Sequence, residues 1–174
     1  EVTQNEKKYI RRATNSQNEI VVIEDKSIVF SQLAVYQGWD HFSDRFIRDW
    51  SIVKNVLNYK KINRIGLRFI NRIDVPLENF PINYNEYLNL FISTPPILDK
   101  FNSGLLRIQK FFPESKADAI INVAPFPSPF PEKVAFLLDI DIGRILDVPQ
   151  TDSEIIHFLN NDARKLKNDI FEAS

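Results

Sequence analysis

Between Trp39 and Leu57 the hydrophobic period of this chain switches from two to between three and four, and it does so again after Thr151. Trp39, Phe42, Phe46, Trp50, Val53 and Leu57 fall on one stripe of a helix, with Asp40, Asp44, Arg48 and Lys54 turned toward water. Gly38 ahead of the stripe and Asn58 just beyond it suit the helix boundaries. Thr151-Asp-Ser-Glu154 reads as a capping box, in which the Thr hydroxyl takes an orphan amide and the Glu reaches back. Ile155, Leu159, Ala163, Leu166 and Ile170 then mark a second helical face. Lys165 and Lys167 in its later turns suit the negative helix end.

Most of the remaining segments alternate with period two. Lys7 to Thr14 and Glu19 to Glu24 read as strands, and Ser27 to Leu33 forms a hairpin with the second of these around the Asp25-Lys26 turn. Arg64 to Asp74 places Ile65, Leu67, Phe69 and Ile73 on one face and Arg64, Arg68 and Arg72 on the other. Leu105 to Phe112, Ala117 to Ala124 and Lys133 to Ile142 are three further strands, the first two joined by a turn at Pro113-Glu-Ser-Lys116. In the last strand Val134, Phe136, Leu138, Ile140 and Ile142 face opposite to Ala135, Leu137, Asp139 and Asp141. A short helix is expected over 85–91, with Tyr84, Leu88 and Phe91 on one side, confined by Pro81, Pro95 and Pro96. Strands grouped in hairpins together with two long amphipathic helices predict an α+β fold: a mostly antiparallel sheet covered by helices, in a single domain over 1–174.

Composition narrows the function classes. The 174 residues are 44% hydrophobic, which suits one packed core and excludes collagen, coiled coil and wholesale disorder. With 22 basic and 23 acidic residues the formal charge is -1, so no global field draws the chain to nucleic acid or an anionic membrane. The absence of Cys excludes disulfides, thiolate metal sites and Cys nucleophiles, and 2 His make a His-rich metal centre a poor expectation. No apolar run approaches the ~20 residues of a membrane helix. The chain starts at Glu1 and contains no Met, which leads to the expectation of an ordered part of a longer protein. There is no G-x-S-x-G, P-loop, G-x-G-x-x-G or H-E-x-x-H motif, and neither His41 nor His157 sits beside a Ser or Asp partner motif.

The leading site candidate compares two strands. Arg68 and Arg72 share one face of theirs, Asp139 and Asp141 one face of another, so adjacent pairing places guanidiniums beside carboxylates. An Asp-x-Asp pair can hold a divalent cation through oxygens while arginines bind a phosphate. The structural alternative is cross-strand ion pairing, worth about 0.2–1 kcal/mol per pair. Asn71 stands on the apolar face of its strand, where an amide must find hydrogen-bond partners or line a cavity. Phe126 and Phe130 lie in Pro125-Phe-Pro-Ser-Pro-Phe-Pro131, a stiff segment that loses little entropy on binding and that can equally be pinned on the core.

Several of these stretches together carry a resemblance. Ser27-Ile-Val-Phe-Ser31, Tyr36-Gln-Gly-Trp-Asp-His-Phe42 with Trp50, Leu67-Arg-Phe-Ile-Asn-Arg-Ile-Asp74, Leu137-Leu-Asp-Ile-Asp141 and Lys167-Asn-Asp-Ile-Phe-Glu-Ala-Ser174 follow one another across most of the chain. In order and approximate spacing they resemble a sporadically distributed bacterial family of uncharacterised proteins. The R-x-I-N-R-I strand, the L-D-I-D strand and the K-N-x-I-F-E-A-S ending carry the likeness jointly. It implies a bacterial, cytoplasmic protein and supplies no activity. No catalytic residue follows from it, and Arg68, Asn71, Arg72, Asp139 and Asp141 are the positions that coincide with its motifs.

Three functional readings come out of the sequence. The first is a non-enzymatic binding module that recognises a protein or other macromolecule through its sheet surface or its Pro-Phe loop. The second is a metal-dependent enzyme acting on a phosphorylated substrate or nucleic acid, in which Asp139 and Asp141 hold a divalent metal beside Arg68 and Arg72. The third is self-association as part of an oligomer, suggested by high aromatic content and open strand edges. No cofactor is expected outside the second reading, and no membrane partner in any.

Overall fold

The computed structural model describes residues 9–13, 18–57, 61–79, 86–89 and 104–174, and the chain divides into two compact units, Glu1–Tyr59 and Lys60–Ser174. The fold is α+β with antiparallel sheets. The predicted strands divide between two sheets rather than one, because among the described residues those that precede the first helix pair with one another.

In the first unit, β1 (Tyr9–Ala13), β2 (Glu19–Glu24) and β3 (Ile28–Gln32) form an antiparallel meander, with Tyr9 opposite Glu24 and Ile23 opposite Ile28. The β2–β3 turn is closed twice: Glu24 N–H donates to the Ser27 carbonyl at 2.8 Å, and the Ser27 hydroxyl to the Glu24 carboxylate at 2.9 Å. The expected ends Lys7 and Thr14 of the first strand lie outside the described residues. Helix α1 spans Trp39–Leu57, the predicted range. Gly38 enters it at φ 98°, a conformation that favours glycine, and its carbonyl accepts from Phe42 N–H at 3.3 Å. Phe46 packs edge-on against Phe30 at 5.1 Å between centroids and stacks with Trp50 at 6.4 Å. The aromatic stripe is therefore packing. The periodicity did not reveal Arg45, whose buried side chain ties the helix to β3 by donating to the Ser31 carbonyl at 2.7 Å.

In the second unit β4 (Ile65–Pro76), β5 (Leu106–Phe112), β6 (Ala117–Phe126) and β7 (Lys133–Arg144) pair in the order β4-β7-β6-β5, all antiparallel. Sequential hairpins build β5-β6-β7, as the turn residues predict; Lys116 closes the first with φ 52° and an N–H bond to the Pro113 carbonyl. The β4·β7 pairing is long-range. Its register sets Leu67 opposite Ile142, Phe69 opposite Ile140 and Ile73 opposite Phe136, so the apolar sets of both strands share a face.

That face is buried. Leu67, Val75, Val123, Phe136, Leu138, Ile140 and Ile142 are inaccessible, and so are Ile155, Phe158, Leu159 and Ala163 of the closing helical segment. The segment consists of α2 (Asp152–His157), a π-helical turn (Phe158–Ala163) and α3 (Arg164–Ala173); the π turn packs on β4 and α3 on β7. The capping box is formed as predicted, Thr151 accepting from Glu154 N–H while the Glu154 carboxylate accepts from Thr151 N–H at 3.2 Å. A regular second helix is corrected by the π turn. Its wider spiral brings Phe158 and Ala163, five residues apart, to the same side, so Phe158 enters the core although it lies off the expected stripe. Of the short helix expected over 85–91, only 86–89 are described; they form a turn in which Leu88 is buried and Tyr87 stands 6.2 Å from the Phe136 ring.

Candidate functional site

The opposite face of the four-stranded sheet carries the charges. The register that buries Leu67 and Ile142 on one side puts Arg68 opposite Asp141 and Ile70 opposite Asp139 on the other, with Asn122 of β6 opposite Asp139 and Arg107 of β5 opposite Asn122. A single hydrogen-bonded row crosses all four strands. Arg68 Nε and Nη2 donate to the two Asp139 oxygens at 2.8 Å each, in a bidentate fork. Asn122 Nδ2 donates to Asp139 Oδ2 at 3.0 Å, and Arg107 Nη1 donates to Asn122 Oδ1 at 3.2 Å.

Two further pairs flank this row. Arg64 Nη2 donates to both oxygens of Asp141, at 3.0 and 2.9 Å. It reaches them by lying across Gly66 and Gly143, which face each other in the ladder; a Cβ on Gly143 would stand 2.9 Å from Arg64 Nη2, and one on Gly66 2.9 Å from Nη1. On the other side Arg72 does not reach Asp139 or Asp141. It donates through Nε to Asp74 on its own strand, at 3.0 Å, and the Ser128 hydroxyl donates to the other Asp74 oxygen at 2.7 Å.

The electrostatics follow from this layering. The Arg68 guanidinium is held above its ordinary pKa, first by its hydrogen bonds to Asp139 and then by that carboxylate's charge, against partial burial. The Asp74 carboxyl is held below the usual carboxylate range, first by the Ser128 hydroxyl and then by Arg72. Side chains of Arg64, Arg68 and Arg72 are 53%, 57% and 40% exposed, whereas Asp141, Asp139 and Asp74 beneath them are 24%, 10% and 15% exposed. The acidic layer is thus covered by a basic one.

The predicted site residues are therefore brought together only in part. Arg68, Asp139 and Asp141 share the charged face with Arg72, although Arg72 has a different carboxylate. Asn71 points to the apolar side, where Nδ2 donates to the Leu138 carbonyl at 3.2 Å. Phe126 lies at the far end of the charged face opposite Ala135, and Phe130 sits in the loop beyond it with Lys133 Nζ 5.3 Å from its ring. Both rings are about half exposed, and the loop is pinned by the Ser128 bond to Asp74 and by Lys133 N–H donating to the Phe130 carbonyl at 3.1 Å.

Sequence reasoning missed Asn122, Arg107, Asp74 and Ser128. Asn122 had a readable signal, the one amide in the strand from Ala117 to Ala124, at even spacing from Asp118 and so on the same face as that carboxylate. Arg107 and Ser128 had none, because they depend on which strands and loops become neighbours. Elsewhere an open groove of about 760 Å³ runs past Arg144, Gln150, Glu154, His157 and Asp162. Its polar groups are largely committed: Glu154 to Thr151, and Gln150 to both backbone groups of Ile62. Among the described residues no group of three or more His, Cys, Asp or Glu is placed to hold a metal ion. No family, no curated protein and no solved structure matches this chain.

Proposed function

We propose that this chain is a non-enzymatic protein-binding module, bacterial and cytoplasmic, that meets its partner with the charged face of the four-stranded sheet and with the Pro-Phe loop at its end. The observation that carries the reading is the row from Arg107 through Asn122 and Asp139 to Arg68, flanked by Arg64 and Arg72. Each guanidinium is held by an acceptor, and the side chains of Arg64, Arg68 and Arg72 remain 53%, 57% and 40% exposed, with further N–H groups on each. Side chains ordered in advance lose little entropy when a partner arrives, and arginine and aromatic residues dominate interface energetics. Exposed Ile70, Phe111 and Phe126 share this face with the arginines.

Charge balance favours a protein over a nucleic acid. The face carries Arg64, Arg68, Arg72, Arg107 and Lys133 against Asp74, Asp118, Asp139 and Asp141, an excess of one cation, so it offers little net attraction to a phosphate backbone. The same bonds weigh against the metal-dependent reading, since both Asp139 oxygens already accept from Arg68 or Asn122. No described helix is long and apolar enough to cross a membrane.

The test is affinity capture from a bacterial lysate with the native chain and with an Arg64→Ala, Arg72→Ala, Phe126→Ala variant. A protein retained by the native chain and lost by an equally folded variant is the expected result. Turnover in a substrate screen, or calorimetric binding of Mg²⁺ or Mn²⁺ that Asp139→Asn abolishes, overturns the reading in favour of an enzyme.

A further inference from the structure

Both outer strands of the four-stranded sheet present an edge, and they differ in kind. Among the described residues β5 pairs with β6 alone and β4 with β7 alone. β5 is seven residues long and carries Arg107 and Lys110 with no acidic residue. Pairing β5 with a copy of itself sets its cations against apolar, amide or cationic neighbours and never against a carboxylate, and a Lys within an edge strand is a common guard against such pairing. β4 is twelve residues long and carries Arg68, Arg72 and Asp74 together.

Directly opposite residues of an antiparallel pair point to the same face, so a strand joins its own copy about a two-fold axis in registers centred on one residue. Centring β4 on Ile70 sets Arg68 against Arg72 twice, like charge against like. Centring it on Asn71 sets Arg68 against Asp74 twice, and on the apolar side Phe69 against Ile73 and Leu67 against Val75. This register also keeps the pairing inside the strand from Gly66 to Pro76.

We propose that two copies of this chain associate edge to edge, β4 against β4 in antiparallel register about a two-fold axis at Asn71, joining two four-stranded sheets into one of eight. Donors and acceptors for the new contacts are present. Arg68 uses Nε and Nη2 on Asp139, which leaves Nη1 for Asp74 of the other copy. Asp74 accepts one bond on each oxygen and retains lone pairs for another donor. Asn71, whose Nδ2 donates to the Leu138 carbonyl among the described residues, meets its own symmetry mate across the axis, which accounts for an amide on the apolar face.

The chain contains no Cys, so single-cysteine variants report the register without background. Opposite Cα atoms in an antiparallel pair lie about 4.5–5.5 Å apart, within disulfide range. Asn71→Cys is expected to give a disulfide-linked dimer under mild oxidation. Ile70→Cys, whose two copies are offset by two residues, is expected to stay monomeric on the same gel. The native chain is expected to sediment as a dimer at high micromolar concentration. Ile70 is exposed, and Ile70→Lys sets two like-charge pairs against Arg72 while leaving the single chain folded, which should weaken dimerisation by about tenfold or more. A native chain that sediments only as monomer overturns the proposal. So does preferential cross-linking of Ile70→Cys, or an Ile70→Lys variant that dimerises as well as the native chain.

Discussion

At the scale of the residue, the Arg68–Asp139 pair separates two consequences that look alike on paper. The Asp139 side chain is 10% exposed and that of Arg68 stands mostly in water, so removing one partner does not mirror removing the other. Asp139→Asn keeps the shape, loses charge-assisted bonds of about 1.5–3 kcal/mol, and lets the guanidinium turn to solvent. Arg68→Ala instead leaves a nearly buried carboxylate with Asn122 as its remaining side-chain donor. We therefore expect the Arg68→Ala variant to lose more stability in urea unfolding, and equal losses or the reverse order would show that the carboxylate is better solvated than its burial implies. Asp74 yields a pH prediction. Its folded pKa lies below the ordinary 3.8, so its stabilising contribution is complete above that value and is lost as pH falls through the lower folded value. Because the Ser128 hydroxyl is the largest cause, Ser128→Ala should move the Asp74 titration back toward the ordinary value in a carboxyl NMR titration, and an unmoved titration would leave Arg72 as the dominant influence. The arginines and aspartates themselves were legible from two alternating patterns. Which carboxylate each arginine takes was not, because a side chain can reach diagonally across a ladder: Arg68 stands opposite Asp141 and bonds Asp139.

At the scale of the element, long periodic segments matched expectation and irregular ones did not. The 19-residue helix α1 was read to its termini because six apolar residues share one stripe. The closing helical segment is legible at its start, where the capping box is a local signal, and departs from the regular period in its middle, where the π turn buries Phe158, Leu159 and Ala163. This contrast sets the sizes of two mutations. Thr151→Ala removes one cap and should cost about 1 kcal/mol. Phe158→Ala opens a cavity at a site that is 1% exposed and should cost about 3–5 kcal/mol, although Phe158 lies off the sequence-derived stripe. Thermal unfolding followed by circular dichroism checks both, and a Phe158 effect no larger than that of Thr151 would mean the π turn does not commit the ring to the core.

At the scale of the whole molecule, balance is the governing property: a formal charge of -1 and a sequence pI near 6.2. Solubility should pass through its minimum close to that pH, where self-repulsion vanishes, and a turbidity series that falls steadily from pH 5 to pH 8 would contradict it. What the linear chain determined by itself was local: where the period is two and where it is near 3.6, which turns close, which helix is capped, and that guanidiniums line one side of one strand while carboxylates line one side of another. These follow from backbone geometry within a few residues. The three-dimensional arrangement decided the rest. It chose β7 as the neighbour of β4 across more than fifty intervening residues, split the strands into two sheets, brought Asn122 and Arg107 into the charged row, and folded Ser128 over Asp74. Long-range pairing is selected by burying two apolar faces at once, a condition no single segment carries, and the charged face is assembled as the necessary reverse of that burial.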